Sequence, residues 1–233
     1  MHMHHRSLGR CPFWAASLWV RMRRHLVLKL VGTSLVIGVF IVVYLHLLHR
    51  PSYPVTMMPS TALDRLLPFQ PQALFLYLSL WLYVGVGPGL QLRFLDLVNY
   101  TAWAVMLCAA GLLIFYFWPT QIPPLGFDVS PYFGFAMLQG IDAAGNACPS
   151  MHVAFSSFTL IRIDNVLRLT GAPKLMRAAN VVWFLAIVFS TLAIKQHVIL
   201  DVLAGLVLGT VFAVASLRWD FATPKPHPTA MRA

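Results

Sequence analysis

The chain reads as an all-α protein, a polytopic bundle of six membrane-spanning helices with both termini in the cytoplasm. Three observations carry that expectation. Of 233 residues, 59% are hydrophobic and only 10% are charged, against about 25% charged in ordinary soluble domains. Six apolar segments each approach the ~20 residues that a helix needs to cross a hydrocarbon core about 30 Å thick. The basic residues flank these segments with a strong bias to one side, as orientation in a membrane requires.

The segments are residues 30–48, 73–90, 98–118, 150–169, 178–194 and 198–219. The first is too long for a signal-peptide core and no small-residue cleavage site follows it, so it is expected to stay as an anchor. The second holds Gly85, Gly87 and Pro88 near its end, which predicts a kink or an early exit. The fourth carries Arg162, Asp164 and Arg168 in its far half. Asp164 and Arg168 are four apart and are expected to pair on one helix face near the headgroups. The organisation expected is a basic cytoplasmic segment over residues 1–29, a membrane domain over 30–219 with its chemistry within about 98–217, and a tail over 220–233.

With the N-terminus inside, fourteen of the seventeen lysines and arginines fall on cytoplasmic segments; Arg50, Arg65 and Lys195 are the exceptions. The longest loop, about 119–149, is then extracytoplasmic. It has no lysine or arginine, and Tyr132, Phe133 and Phe135 are expected to anchor it at the interface.

A net charge of +10 raises nucleic acid as a partner. That class is excluded because the cations border apolar spans rather than forming one soluble basic face. Cys11, Cys108 and Cys148 are scattered, without the spacing of a zinc site or a disulfide framework. Residues 1–5 contain three histidines, read as a frayed terminus rather than a metal site. No cofactor and no metal are expected.

Ionisable residues inside spans are costly and mark function by default. His197 and Asp201 are four apart at the start of the sixth segment, a spacing that sets both on one helix face, with the aspartate orienting the imidazole. Gly205 and Gly209 continue that stripe and suit close packing on a neighbouring helix. The run Cys148-Pro149-Ser150-Met151-His152 opens the fourth segment. A hairpin of two spans separates His152 from His197, so both return to the same membrane face, where Ser150 and Lys195 join them. Two histidines, one held by a carboxylate, can supply a nucleophile and an acid–base group. A transporter relay through His197 and Asp201 is the rival reading, although neither an internal repeat nor a broken helix pair supports it.

At these residues the sequence resembles the type 2 phosphatidic acid phosphatase superfamily. The Pro-Ser-Gly-His signature of that family is matched by Pro149-Ser150-Met151-His152, with methionine for glycine. Its Ser-Arg-x5-His-x3-Asp signature is matched by Ser190, Thr191, His197 and Asp201, with threonine for arginine. Its Lys-x6-Arg-Pro signature has no counterpart; a stretch from Trp118 to Pro124 without a basic residue stands there. The Lys195-Gln196-His197 run looks most like the inositol phosphorylceramide synthase branch.

The resemblance implies an integral membrane lipid phosphatase or phosphotransferase that works without metal through a phosphohistidine. It implies His197 as nucleophile, Asp201 as its orienting group and His152 as acid–base catalyst. Ser150, Ser190 and Lys195 would bind phosphate. The substrate would be a lipid phosphate or a phospholipid, and a bacterial inner membrane with an extracytoplasmic site is the expected location. Two arginines and one lysine of the family pattern are missing, so a non-catalytic protein on a decayed scaffold is the alternative.

Overall fold

A computed structural model of the chain describes residues 12–129, 131–132, 134–135 and 146–219. The histidines of residues 1–5, Arg6, Arg10, Cys11, Phe133 and the tail with Lys225 and Arg232 lie outside the described residues.

In chain order the elements are α1 (Phe13–Arg23), α2 (Leu26–His49), a short strand β1 (Thr56–Met57) and α3 (Ala62–Leu66). A 3-10 turn (Pro71–Ala73) leads into α4 (Leu74–Leu78) and α5 (Leu80–Gly89). Then come α6 (Phe94–Phe117), β2 (Thr120–Gln121), α7 (Met151–Leu169), α8 (Lys174–Ala193) and α9 (Ile199–Arg218). The strands pair in parallel, Thr56 opposite Thr120 and Met57 opposite Gln121, and so tie the loop after α2 to the loop after α6.

Among the described residues four helices, α2, α6, α8 and α9, are long and apolar enough to cross a membrane. The other two expected spans take different forms. Residues 73–90 are divided at Ser79, earlier than the glycines and proline suggested. The Ser79 hydroxyl donates to Leu76 O at 2.6 Å, a back-bond that competes with the regular helical ladder. The fourth segment is one 19-residue helix, α7, with three charged residues.

That polarity has a physical reason. α7 is the central helix, packed between α5, α8 and α9, so its polar side chains meet protein rather than lipid. Ser156, Ser157, Thr159 and Arg162 are all buried. One apolar core joins α7 to α5 and α8 through Tyr83, Ile163, Phe184 and Ile187. A second joins α7 to α6 and α9 through Leu107, Phe158 and Ala213.

The glycine stripe of α9 is what lets α7 approach. A Cβ on Gly205 would lie 2.3 Å from Ser150 O, and one on Gly209 would lie 2.1 Å from Ala154 O. The backbones therefore touch, as small residues permit between membrane helices.

The end of the bundle away from His152 and His197 is basic and rich in internal hydrogen bonds. Lys29 donates all three of its N–H groups, to Arg21 O (2.7 Å), Gly89 O (2.7 Å) and Gln91 O (2.8 Å). Arg162 reaches Ser216 and Gln91. Asp164 pairs with Arg168 at 2.6 Å as expected, and also with Arg177 of α8 at 2.6 Å. α1, read from sequence only as a basic segment, docks here and packs Leu18 and Met22 onto the core.

Phe135 corrects the reading of the 119–149 loop. It is 1% exposed and packs with Phe69 at 5.2 Å, so it belongs to the core beneath the loop. Tyr132 stays partly exposed against the same ring.

Candidate active site

The site is built from two helix starts and the turns that lead into them. α8 ends in a turn whose hydrogen bonds define its geometry: Lys195 N donates to Leu192 O (3.1 Å) and Gln196 N to Thr191 O (3.1 Å). This is the Schellman pattern, which places a left-handed residue just past the helix and usually employs glycine there. Lys195 occupies that position with φ 59°, a conformation that costs a residue with a Cβ about 1–2 kcal/mol. The turn aims His197 back toward α7.

His197 therefore stands outside α9, one residue before its N-cap Val198, rather than on the helical face expected from its spacing. Asp201 Oδ2 accepts the Val198 N–H at 3.0 Å and lies 3.5 Å from His197 Nδ1. That is ion-pair distance, longer than a well-made hydrogen bond. Asp201 is first a cap for α9 and through the cap a partner for His197. Its main-chain carbonyl accepts the Ser150 N–H at 2.9 Å, which locks the two helix starts together.

Ser150 is the N-cap of α7 and its Oγ accepts from Val153 N at 3.4 Å. The next turn carries His152, whose ring lies 6.0 Å from that of His197 between centroids. The structure thus gathers His152, His197, Asp201 and Ser150 at one end of the bundle.

The remaining predicted residues behave differently. Ser190 is fully buried and its hydroxyl donates to Ile187 O at 2.6 Å, so it shapes the helix end from beneath. Ser150 is fully buried too. Lys195 Nζ donates to Asp64 O (2.8 Å) and Leu67 O (2.5 Å), which makes it the tether of the α3 segment and leaves one N–H of the ammonium.

Two residues, Tyr77 and Asp64, were not singled out from sequence. Tyr77 of α4 stacks on His152 with ring centroids 4.2 Å apart and its hydroxyl oxygen lies 3.4 Å from Nδ1. Nothing local to Tyr77 announces this. Asp64 accepts from Thr61 N and Oγ1, both at 2.7 Å, and from Ile199 N at 2.9 Å. It therefore caps α3 and α9 at once. Its signal was legible, since a threonine three residues before an acid is a helix-start pattern. Arg65, which the sequence left able to reach the site but assigned first to a headgroup-level surface role, lines one cleft with Lys195, His197 and Asp64.

Cys148 belongs to the scaffold. Its N–H donates to Thr120 Oγ1 at 2.7 Å. Burial first, and then the nearby Asp201 carboxylate, push its thiol up to about 12, so it stays neutral and unreactive.

The family model that matches is described as the PAP2 superfamily, and it covers residues 93–225, more than half of the chain. No curated protein matches, and no solved structure matches.

Proposed function

The chain belongs to the PAP2 superfamily, and from that premise we propose that it is an integral membrane phosphatase or phosphotransferase of lipid phosphates, working through a phosphohistidine on His197. The observation that carries this reading is the pair of histidine rings, brought 6.0 Å apart from different turns, with Asp201 behind one of them.

With Nδ1 of His197 turned to Asp201, Nε2 is the atom left to attack phosphorus. The N–P bond forms as the ester P–O bond breaks, and protonated His152 gives its proton to the leaving lipid oxygen. Neutral His152 then takes a proton from water, or from the hydroxyl of a second lipid. That oxygen attacks phosphorus, the P–N bond breaks, and His197 is restored. Water as acceptor gives hydrolysis; an alcohol gives transfer, as in the inositol phosphorylceramide synthase-like branch. Asp201 stabilises the positive charge on His197 while it carries the phosphoryl group.

Charge on the equatorial oxygens must also be met. The remaining N–H of Lys195, the guanidinium of Arg65 and the N-terminal end of α7, with its partial positive charge, supply it in place of the missing family cations. In this reading α7 and the α4–α5 segment cross the bilayer with the four apolar helices, both termini are cytoplasmic, and the site opens on the extracytoplasmic side.

The test uses the whole protein purified in detergent with a chelator, given labelled phosphatidic acid alone or a phospholipid plus an acceptor lipid. Wild type should release phosphate or form a new phospholipid, and an acid-labile, base-stable label should appear on the protein during turnover. His197→Ala should lose both, a fall of at least ~10³ in rate, as when other nucleophiles are removed. Equal inactivity of the two proteins on every lipid would favour the decayed-scaffold alternative.

A further inference from the structure

α2 is a helix buried at its ends and mostly exposed between them. Its buried residues are Lys29 near one end and Leu48 at the other. Lys29 ties the first end to the carbonyls of Gly89, the last residue of α5, and of Gln91 just beyond it. At the other end Asn146 Nδ2 donates to Tyr44 O at 2.8 Å, and the Tyr44 ring meets Phe115. Between these ties Phe40 meets Phe155 of α7 edge-on, with ring centroids 5.6 Å apart, and a slot remains between α2 and its neighbours.

The α2 wall of the slot is Gly32, Thr33, Val36, Ile37 and Phe40, which share one helical face by their spacing. Leu80, Trp81, Val84 and Pro88 of α5 form the opposite wall, and α6 and α7 close the back with Ala104, Cys108 and Phe158 among others. The lining is almost wholly apolar. It extends over two turns of helix, about 12 Å at 1.5 Å per residue. Its one titratable histidine is His152, whose ring faces His197 on the other side. His152 thus stands where an apolar slot meets a polar cleft that holds His197, Lys195 and Arg65.

We infer that this slot holds a hydrocarbon chain of the lipid substrate, entering sideways from the bilayer between α2 and α5, so that the ester oxygen arrives at His152 and the phosphate at His197. The inference rests on the catalytic reading above and adds the place of the chain. The energetics suit a guide. Lipid tails are as apolar as the slot, so entry from the bilayer brings no hydrophobic gain or loss; the slot orients the chain and selects by shape. An enzyme whose reacting groups end such a slot holds its substrate by position.

Gly32 provides the test, because a Cβ there meets nothing within 4 Å, so a large side chain can enter the slot without disturbing backbone. Gly38 of the same helix is equally open and lies outside the lining. Turnover of a long-chain phosphatidic acid and of a short-chain, water-soluble one is compared in detergent for wild type, Gly32→Phe and Gly38→Phe. Gly32→Phe should lower the long-to-short ratio of kcat/KM by about tenfold or more, and Gly38→Phe should leave it unchanged. An unchanged ratio in Gly32→Phe overturns the slot while the catalytic reading stands.

A second readout is independent of turnover and of the folding of either variant. Wild-type protein in nanodiscs is photolabelled with a phosphatidic acid bearing a diazirine at its chain end. Label on Ala104 and Cys108, competed by unlabelled lipid, supports the slot even if no phosphate is released. Label confined to outward residues such as Leu35 and Val42, which are 66% and 69% exposed, overturns it.

Discussion

α2 and α9 are alike in composition and opposite in packing. Both are apolar, with mean hydropathy 2.6 and 2.2 over their best windows, and both carry paired glycines; yet 6% of that window in α2 is buried inside the protein and 39% in α9. A Cβ on Gly205 or Gly209 would collide with the backbone of α7, whereas one on Gly32 or Gly38 would meet nothing. The same residue type brings backbones together in one helix and leaves space beside the other. The rigid pair α7–α9 holds the histidines in register, because the Ser150 N–H to Asp201 carbonyl bond spans that contact. The loose helix α2 borders the way in.

The sharpest way to break this comparison is to put a methyl group where the backbones touch. Gly205→Ala and Gly209→Ala should each destabilise the protein by about 1–3 kcal/mol, read as a lower Tm in detergent. Gly205→Ala should also cut turnover severely, because the atom it displaces is the carbonyl of Ser150, two residues before His152. If both variants were as benign as an alanine at Gly38, the close α7–α9 contact would be wrong.

The next largest effect should come at the turn into α9. Lys195→Ala removes two charge-assisted hydrogen bonds to the α3 segment, worth about 1.5–3 kcal/mol each, together with a cation in the cleft. It should cost more activity than Arg65→Ala, which removes a cleft cation and one bond to Ser60 O. Lys195→Gly separates the two roles of this residue. It should relieve about 1–2 kcal/mol of left-handed strain and still lose activity, measured as turnover against Tm. An Arg65→Ala loss greater than that of Lys195→Ala would move the phosphate to the outer wall of the cleft.

The smallest effect should be on α2. Gly38→Ala sits mid-helix in open space and should stabilise by about 0.5–1 kcal/mol, the ordinary helical gain over glycine, with turnover unchanged. A loss of activity there would mean that α2 flexes during the reaction.

Much of this was open to reading in the sequence. The apolar lengths of α2, α6, α8 and α9 follow from the cost of placing polar groups in hydrocarbon, a local property that composition reports directly. The small face at Gly205 and Gly209 follows from helical spacing, and the closeness of His197 and Asp201 was expected from it. The cap was less visible: a spacing of four suggested a shared helical face, while the chain places His197 before Val198 and brings it to Asp201 through the helix start. α7 was ambiguous for a reason of its own, since its charges are tolerated by its central position and no window of sequence contains that position.

The sequence by itself determined a helical membrane protein with two histidines at one face and an aspartate behind one of them, because transfer energies and helical period act over a few neighbouring residues. Tertiary structure alone decided that Tyr77 lies on His152, that Lys195 tethers the α3 segment, that Asp64 caps two helices and that a slot is left beside α2. Those are contacts between residues 75 to 135 positions apart or gaps left by missing contacts. Which distant groups meet is set by how the whole bundle closes, and no local pattern in the chain encodes it.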